Sequence, residues 1–218
     1  MTKNKENIKI VQPKIPKDLP EFDLADNSIA DQDLISTAFI QDCSLENDEL
    51  KGITFDEIVF RNVIFANALF KQSDITDVRF ENCDFSNANF TESSIHRAQF
   101  INCKITGMDL SDSTMKNVVF KQCNGRYASF RFSNCKQVLF NHCQIAFSDF
   151  YESKFSKIGF TDTEMTQCQF FGTQLEGIDF TSCDIEGMGA RVEDVRGAIV
   201  TSVQAVSLAR LMGIIIQE

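Results

Sequence analysis

Along this chain one large apolar residue recurs at every fifth position. The series reads Leu45, Leu50, Phe55, Phe60, Phe65, Phe70, Ile75, Phe80, Phe85, Phe90 and continues to Ile185, broken only at Gly125 and Cys135. A period of five fits neither the 3.6 of a helix nor the 2.0 of a flat strand. It requires a backbone that turns a corner after each apolar residue. Two positions before each centre stands a small or β-branched residue, as at Ala68, Ser73, Val78, Cys83, Ala88, Ser93, Ala98 and Cys103. Large polar side chains are almost absent there, so this position is also expected to point inward. The other three positions of each five are mostly Asn, Asp, Gln, Lys, Arg, Ser and Thr, which suits solvent.

A longer period lies over the short one. Phe60, Phe80, Phe100, Phe120, Phe140, Phe160 and Phe180 form a column at spacing twenty, and Ser73, Ser93, Ser113, Ser133 and Ser153 form another. Cys83, Cys103, Cys123 and Cys143 repeat at the same interval, with Cys43 and Cys183 on the same grid. If one coil is twenty residues, like stacks on like, as in solenoids. Four fives per coil give a square cross-section. At the usual interstrand spacing, residues 21–188 make about eight coils and a rod about 40 Å long. Burying each phenyl ring is worth roughly 1.5–3 kcal/mol. An earlier register, Leu24, Ile29, Leu34 and Phe39, is offset by one residue, which predicts a bulge in the first coil.

Runs such as Cys83-Asp84-Phe85-Ser86-Asn87-Ala88-Asn89-Phe90 match the A(D/N)Lxx pattern of the pentapeptide-repeat family, which the chain resembles over about residues 22–188. The resemblance implies an all-β fold, a right-handed quadrilateral β-helix; its handedness comes from the family and not from the periodicity.

The ends depart from the pattern. Residues 1–20 contain all three prolines and a charge of +3, and read as an arm, extended or disordered, covering the first coil with Ile8, Ile10 and Val11. Residues 189–218 form a tail in which Thr201 or Ser202 can N-cap a helix. Its apolar side would be Ala205, Leu208, Ala209 and Met212, with Gly213 after it and a short strand at Ile214-Ile215-Ile216. The tail could simply cap the last coil. Val203, Val206 and Leu211 lie off that stripe, and the tail resembles the C-terminal dimerisation module of gyrase-interacting relatives. A homodimer through Val203, Val206, Leu208, Leu211, Met212, Ile214 and Ile216 is therefore expected.

Composition narrows the function. The net charge is −10, so binding nucleic acid directly through phosphate neutralisation is not expected. No apolar run approaches the roughly 18 residues of a membrane helix, and no secretory signal is legible, so no membrane association and a cytoplasmic protein are expected. The eight cysteines include no C-x-x-C pair and read as small buried hydrophobes, with neither disulfide nor metal. His96 and His142 fall at outward positions, and no phosphate loop, nucleophile elbow or zinc-protease motif occurs. The acids lie on a convex surface without a cleft that would desolvate a general acid. No enzyme and no cofactor are expected.

What remains is a surface. Residues 21–57 hold eleven acids, among them Asp23, Asp26, Asp31, Asp33, Asp42, Glu46, Asp48 and Glu49, against the single base Lys51. The family resemblance points to its Qnr and MfpA-like branch, which implies an acidic rod that mimics duplex DNA. Such a rod would bind DNA gyrase or topoisomerase IV, and would either protect the enzyme from quinolones or inhibit it. Residues 113–148 run against this, with no acid and five bases, Lys116, Lys121, Arg126, Arg131 and Lys136. The series also fails here, at Gly125 and Cys135, while Tyr127, Phe132, Phe147 and Tyr151 stand at outward positions. The expectation is that Tyr127 or Phe132 turns in to fill the axis. The alternative is an aromatic–basic patch for a partner, built from Lys116, Lys121, Arg126, Tyr127, Arg131, Phe147 and Tyr151, on a scaffold of unrelated function.

Overall fold

The computed structural model describes residues 8–24 and 29–217. Among the described residues seven strands of eight residues recur at intervals of twenty: β1 Leu34–Gln41, β2 Thr54–Arg61, β3 Asp74–Glu81, β4 Ser94–Ile101, β5 Thr114–Lys121, β6 Asn134–Asn141 and β7 Lys154–Thr161. Each pairs only with its sequence neighbours, in parallel, so the sheet order is the chain order. The register offset is twenty throughout, as in Phe60↔Phe80 and Phe100↔Phe120. The rest of each coil touches the next through single bridges such as Ser44↔Ile64 and Glu49↔Leu69. This is a β-solenoid of about six turns, fewer than the eight expected. The strand-bearing side stops at Thr161, beyond which single bridges carry the same offset on to Asp179↔Ile199.

The five-residue period has a backbone cause. Two residues after each axial side chain the chain enters the left-handed region, at Asn47 (φ 62°), Gly52 (69°), Asn62 (53°), Asn67 (57°) and so on along the rod. Asn, Asp and Gly tolerate that conformation best, and they fill many of these corners. Each corner redirects the chain by about a quarter turn, and each coil then donates to its neighbours' carbonyls, as Phe65 N–H does to Asp84 O at 2.7 Å.

The axis is filled as the period requires. Within one coil Phe55, Phe60, Phe65 and Phe70 meet edge to face at 5.1–6.0 Å, with Phe70 closing on Phe55 at 6.2 Å. Between coils most rings lie parallel, as Phe65 on Phe85 at 4.6 Å and Phe100 on Phe120 at 4.8 Å, while Phe70 meets Phe90 edge-on. The inward position two residues earlier must be small, and a donor there has a task. Ser113 Oγ donates to Leu110 O at 2.6 Å, Ser153 Oγ to Phe130 O at 2.6 Å, and Cys123 Sγ to Phe100 O at 3.3 Å. All eight cysteines are free thiols, seven of them buried. Burial pushes Cys135 and Cys168 up to about 12, which keeps them protonated and inert.

Three expectations about the rod are corrected. Along β1 there is no bulge: Ile35 pairs with Phe55 and Ile40 with Phe60 at the common offset. Ile35 is 6 % exposed and Leu34 65 %, so the inward member of each apolar doublet is the one on the main series. Phe39 lies outside instead, under the Arg61 guanidinium at 5.1 Å. Leu24 and Ile29 pack partly buried against the core. Second, neither Tyr127 nor Phe132 turns in; they are 59 % and 45 % exposed. The axis at Gly125 is already full, because a Cβ there would meet Ile105 Cγ1 at 2.9 Å and Ile145 Cγ2 at 3.2 Å. The coils above and below supply the missing volume. Third, Ile214–Ile216 form no strand.

The tail plugs the rod. Helix α1, Ser202–Ala209, is N-capped by Thr201 in a capping box with Gln204. Gln204 Nε2 also donates to Phe180 O at 2.8 Å and Cys183 O at 2.7 Å, which satisfies carbonyls that no further coil will meet. After Ala209 the chain tightens to a 3₁₀ turn, Arg210–Met212, ended by Gly213 at φ 76°. The change of period swings Leu211 rather than Met212 onto the core.

Candidate interaction surfaces

The N-terminal arm, from Ile8, does not cap the first coil. It runs as an extended strap back along the outside of the sheet. Pro20 O accepts from Phe39 N at 2.8 Å on β1, and Lys14 N–H donates to Asp77 Oδ1 at 2.8 Å on β3. Gln12 meets Gln99 on β4, Val11 N–H donates to Asn117 Oδ1 at 3.1 Å on β5, and Gln137 Nε2 on β6 donates to Lys9 O at 2.7 Å. Ile8 reaches β7, where a Cβ on Gly159 would come within 2.9 Å of its Cδ1. Ile8, Ile10, Pro13, Ile15 and Leu19 are half-buried. The sequence hinted at this only through their rough alternation. Asp77 is itself buried and clasped by Arg97 Nε and Nη2, each at 2.5 Å. Burial opposes its charge, but Arg97 and the Lys14 N–H outweigh it and hold the carboxyl below its ordinary range.

The acidic end is spread around the first two coils. Asp23, Asp31, Asp42, Glu46, Asp48 and Glu49 are exposed and Asp33 half-buried; Asp26 lies outside the described residues. Two of these acids are structural. Asp31 Oδ1 accepts from Lys51 N at 2.8 Å and Asp33 Oδ2 from Ala30 N at 2.7 Å, so they hold the entry to the first coil. Asp42 Oδ1 accepts from Asn62 at 2.8 Å. An open groove lies beside them, lined by Glu21, Asp23, Leu24, Asp42 and Cys43. In length, 37 residues are about 1.8 coils or about 9 Å of rod. Duplex DNA would carry about five charges over that distance, at one per about 1.7 Å. The sequence puts a net −10 there.

In the middle of the rod the outward aromatic residues lie together with two arginines. Tyr127 stacks on Phe147 at 4.9 Å and 12°, and Phe132 meets Tyr151 edge-on at 5.6 Å. Arg126 covers Phe147 at 5.4 Å; Arg131 covers Tyr151 at 4.7 Å and Phe132 at 5.4 Å. Tyr127, Phe132 and Phe147 all sit at left-handed corners, with φ 62°, 57° and 63°. Bulky residues hold that conformation at a cost of roughly 1–2 kcal/mol each. The positive charge is partly answered: Arg131 pairs with Asp149 at 2.7 Å and Arg126 with Glu164 at 3.3 Å. Lys116, Lys121 and Lys136 are exposed and stand apart from these rings, on β5 and β6.

The tail residues divide. Leu208 and Leu211 are turned against the chain's own core, and with Val195 and Val200 they line an apolar groove of about 170 Å³. Val203, Val206, Met212, Ile214 and Ile216 are exposed, and Ile215 is 86 % exposed. The histidines form no constellation. His96 lies beside Arg97, and its burial and that cation lower its pKa. His142 is 3.5 Å from Asp162 on the surface. Among the described residues no cluster of His, Cys, Asp or Glu could hold a metal, and no helix is long and apolar enough to cross a membrane.

Comparison with known proteins agrees with the repeat. Residues 73–150 match the model of the pentapeptide repeat region, and residues 34–110 match that of the SV2A/B/C luminal domain. No curated protein matches. Among solved structures, QnrB1, described as a plasmid-mediated fluoroquinolone resistance protein, is 19 % identical, with 86 % of this chain and 91 % of that one covered and a TM-score of 0.41. HetL, a pentapeptide repeat protein involved in heterocyst differentiation regulation in the cyanobacterium Nostoc, is 10 % identical over 78 % of this chain and 90 % of that one, with a TM-score of 0.35. A pentapeptide repeat protein of the Arabidopsis thaliana thylakoid lumen is 14 % identical over 44 % of this chain and 63 % of that one, with a TM-score of 0.34. The five-residue axis and the twenty-residue coil thus build a solenoid whose central segment, residues 73–150, matches the pentapeptide repeat region.

Proposed function

We propose that this rod is a non-enzymatic DNA mimic that binds a type II topoisomerase, DNA gyrase or topoisomerase IV, and protects it from quinolones or inhibits it. One observation carries the reading: the sequence puts a net −10 into residues 21–57, about 9 Å of rod, denser than the duplex such enzymes grip. The choice of enzyme follows the family resemblance of the repeat. On the same reading the protein works in the cytoplasm, as a homodimer joined by the exposed tail residues Val203, Val206, Met212, Ile214 and Ile216. The acidic coils then lie at the two far tips.

A supercoiling assay with DNA gyrase and the purified protein tests this. Glu46, Asp48 and Glu49 are the residues to reverse to Lys, since they are exposed and, unlike Asp31 and Asp33, hold no backbone N–H. The variant should fold normally and lose most of its effect, and the wild-type effect should fall with added salt. A triple variant as active as the parent would sink acidic-tip mimicry. A second reading, a scaffold for an unrelated partner, is favoured by the outward Tyr127, Phe132, Phe147 and Tyr151 with their arginines, since aromatic residues and Arg dominate binding hot spots.

A further inference from the structure

The strap is held in an unusual way. Its residues make no β-bridge to the rod between Ile8 and Leu19. Instead, side chains on β3, β5 and β6 reach out and bind its main chain. Asp77 takes the Lys14 N–H, Asn117 takes the Val11 N–H, and Gln137 gives to the Lys9 carbonyl. Asp77 and Asn117 are 5 % and 3 % exposed beneath the strap, and Arg97 Nε and Nη2 hold the Asp77 carboxylate in place. They read backbone, which any extended segment offers.

The spacing is commensurate. From Lys14 to Val11 is three residues, about 10 Å of extended chain. From Asp77 to Asn117 is two coils, also about 10 Å. An extended peptide laid along the rod axis therefore meets the receptors without strain. The seat beneath is apolar towards its ends: Val59 stands at one, Val119 and Leu139 at the other, with Arg79 and Gln99 between them in the same column, and Gly159 continues it, where a Cβ would crowd both Ile8 Cδ1 and Leu139 Cδ2 at 2.9 Å. Asp56, Glu57 and Asp74 lie on β2 and β3, at the end where Lys14 and Lys17 run. A segment fixed by a few side-chain bonds, with every other residue in solvent, belongs to the low-stability end of a structure.

We propose that the outer face of β2–β7 is a peptide-docking track and that residues 8–15 are its resident occupant. When the strap lifts, the track takes in trans an extended segment of another protein with branched apolar residues at alternate positions and lysines between them. The strap is thus an intramolecular competitor, and this surface shares Asp56 and Glu57 on β2 with the acidic coils of the proposed function.

The test uses the full chain. In a double variant, Ile10→Asp with Ile15→Asp, the strap loses its apolar anchors while the rod is untouched. Circular dichroism and melting report the rod, and hydrogen exchange of residues 8–15 reports the strap. The probe is a fluorescein-labelled peptide copying residues 8–17, with a scrambled peptide of equal composition as control. The expected result is anisotropy binding to the double variant at least tenfold tighter than to wild type. Asn117→Ala added to the variant should weaken it several-fold, and the scrambled peptide should bind less well than the probe. Equal binding to both proteins, or none to a variant with an intact rod and freely exchanging strap, would overturn the proposal. So would residues 8–15 that stay protected in the variant, since the strap would then not be a displaceable occupant.

Discussion

Replacing Phe120 with Ala removes a ring from the middle of the axis, and the structure sets how much that should cost. The side chain is fully buried. It stacks between Phe100 and Phe140, both at 4.8 Å, and meets Phe130 edge-on at 6.0 Å. Truncating a buried Phe costs about 3–5 kcal/mol, the spread depending on how far the surroundings collapse into the cavity. Collapse is restricted here, because the coils on either side are held at the interstrand distance by backbone bonds such as Asn102 N to Lys121 O and Gln122 N to Asn141 O, each 2.9 Å. Two stacked pairs are lost as well, each worth about 0.5–1.5 kcal/mol beyond burial. The expected loss is therefore toward the upper end, about 5 kcal/mol. Phe155 supplies the internal comparison. It is half-buried, stands opposite Cys135, and has only edge-on neighbours at 5.8 and 6.3 Å. Phe155→Ala should cost about half as much, because part of its area is already in water. Equilibrium unfolding in guanidinium chloride gives both values. A loss below about 1.5 kcal/mol for Phe120→Ala, or equal losses at the two sites, would refute the picture of an axis that cannot collapse.

Two further outcomes follow from the geometry. Leu34→Ser should be nearly neutral and Ile35→Ser should cost several kcal/mol, about the price of putting a hydroxyl in place of a buried side chain, and thermal melting of the two variants distinguishes the registers. Asp77 has a folded pKa below its ordinary 3.8, so its contribution is present above that value and is lost as pH falls through the folded pKa. Hydrogen exchange at Lys14 should accelerate below about pH 4, and Asp77→Asn should abolish most of that dependence.

The order in which these features can be read from the chain has a physical reason. The axis was legible in the sequence because a solenoid repeats one local environment: Phe60, Phe80 and Phe100 face the same neighbours, so the same residue suits each. The inward small position was legible for the same reason, and so was the Thr201 cap, which depends on residues three apart. Composition alone located the acidic end. The first coil misled because Leu34-Ile35 and Phe39-Ile40 are apolar doublets, and only pairing with β2 decides which member faces in. Gly125 misled because a gap in one coil is filled by Ile105 and Ile145 of its neighbours, a volume that no single repeat contains. The strap was hidden most completely. Its partners Asp77, Asn117 and Gln137 stand 63 to 128 residues away and belong to corners whose side chains vary freely along the rod. Sequence determines what recurs within one coil, because each repeat solves the same local packing problem. Tertiary structure decides what crosses coils once, because a contact made at a single place leaves no period to read.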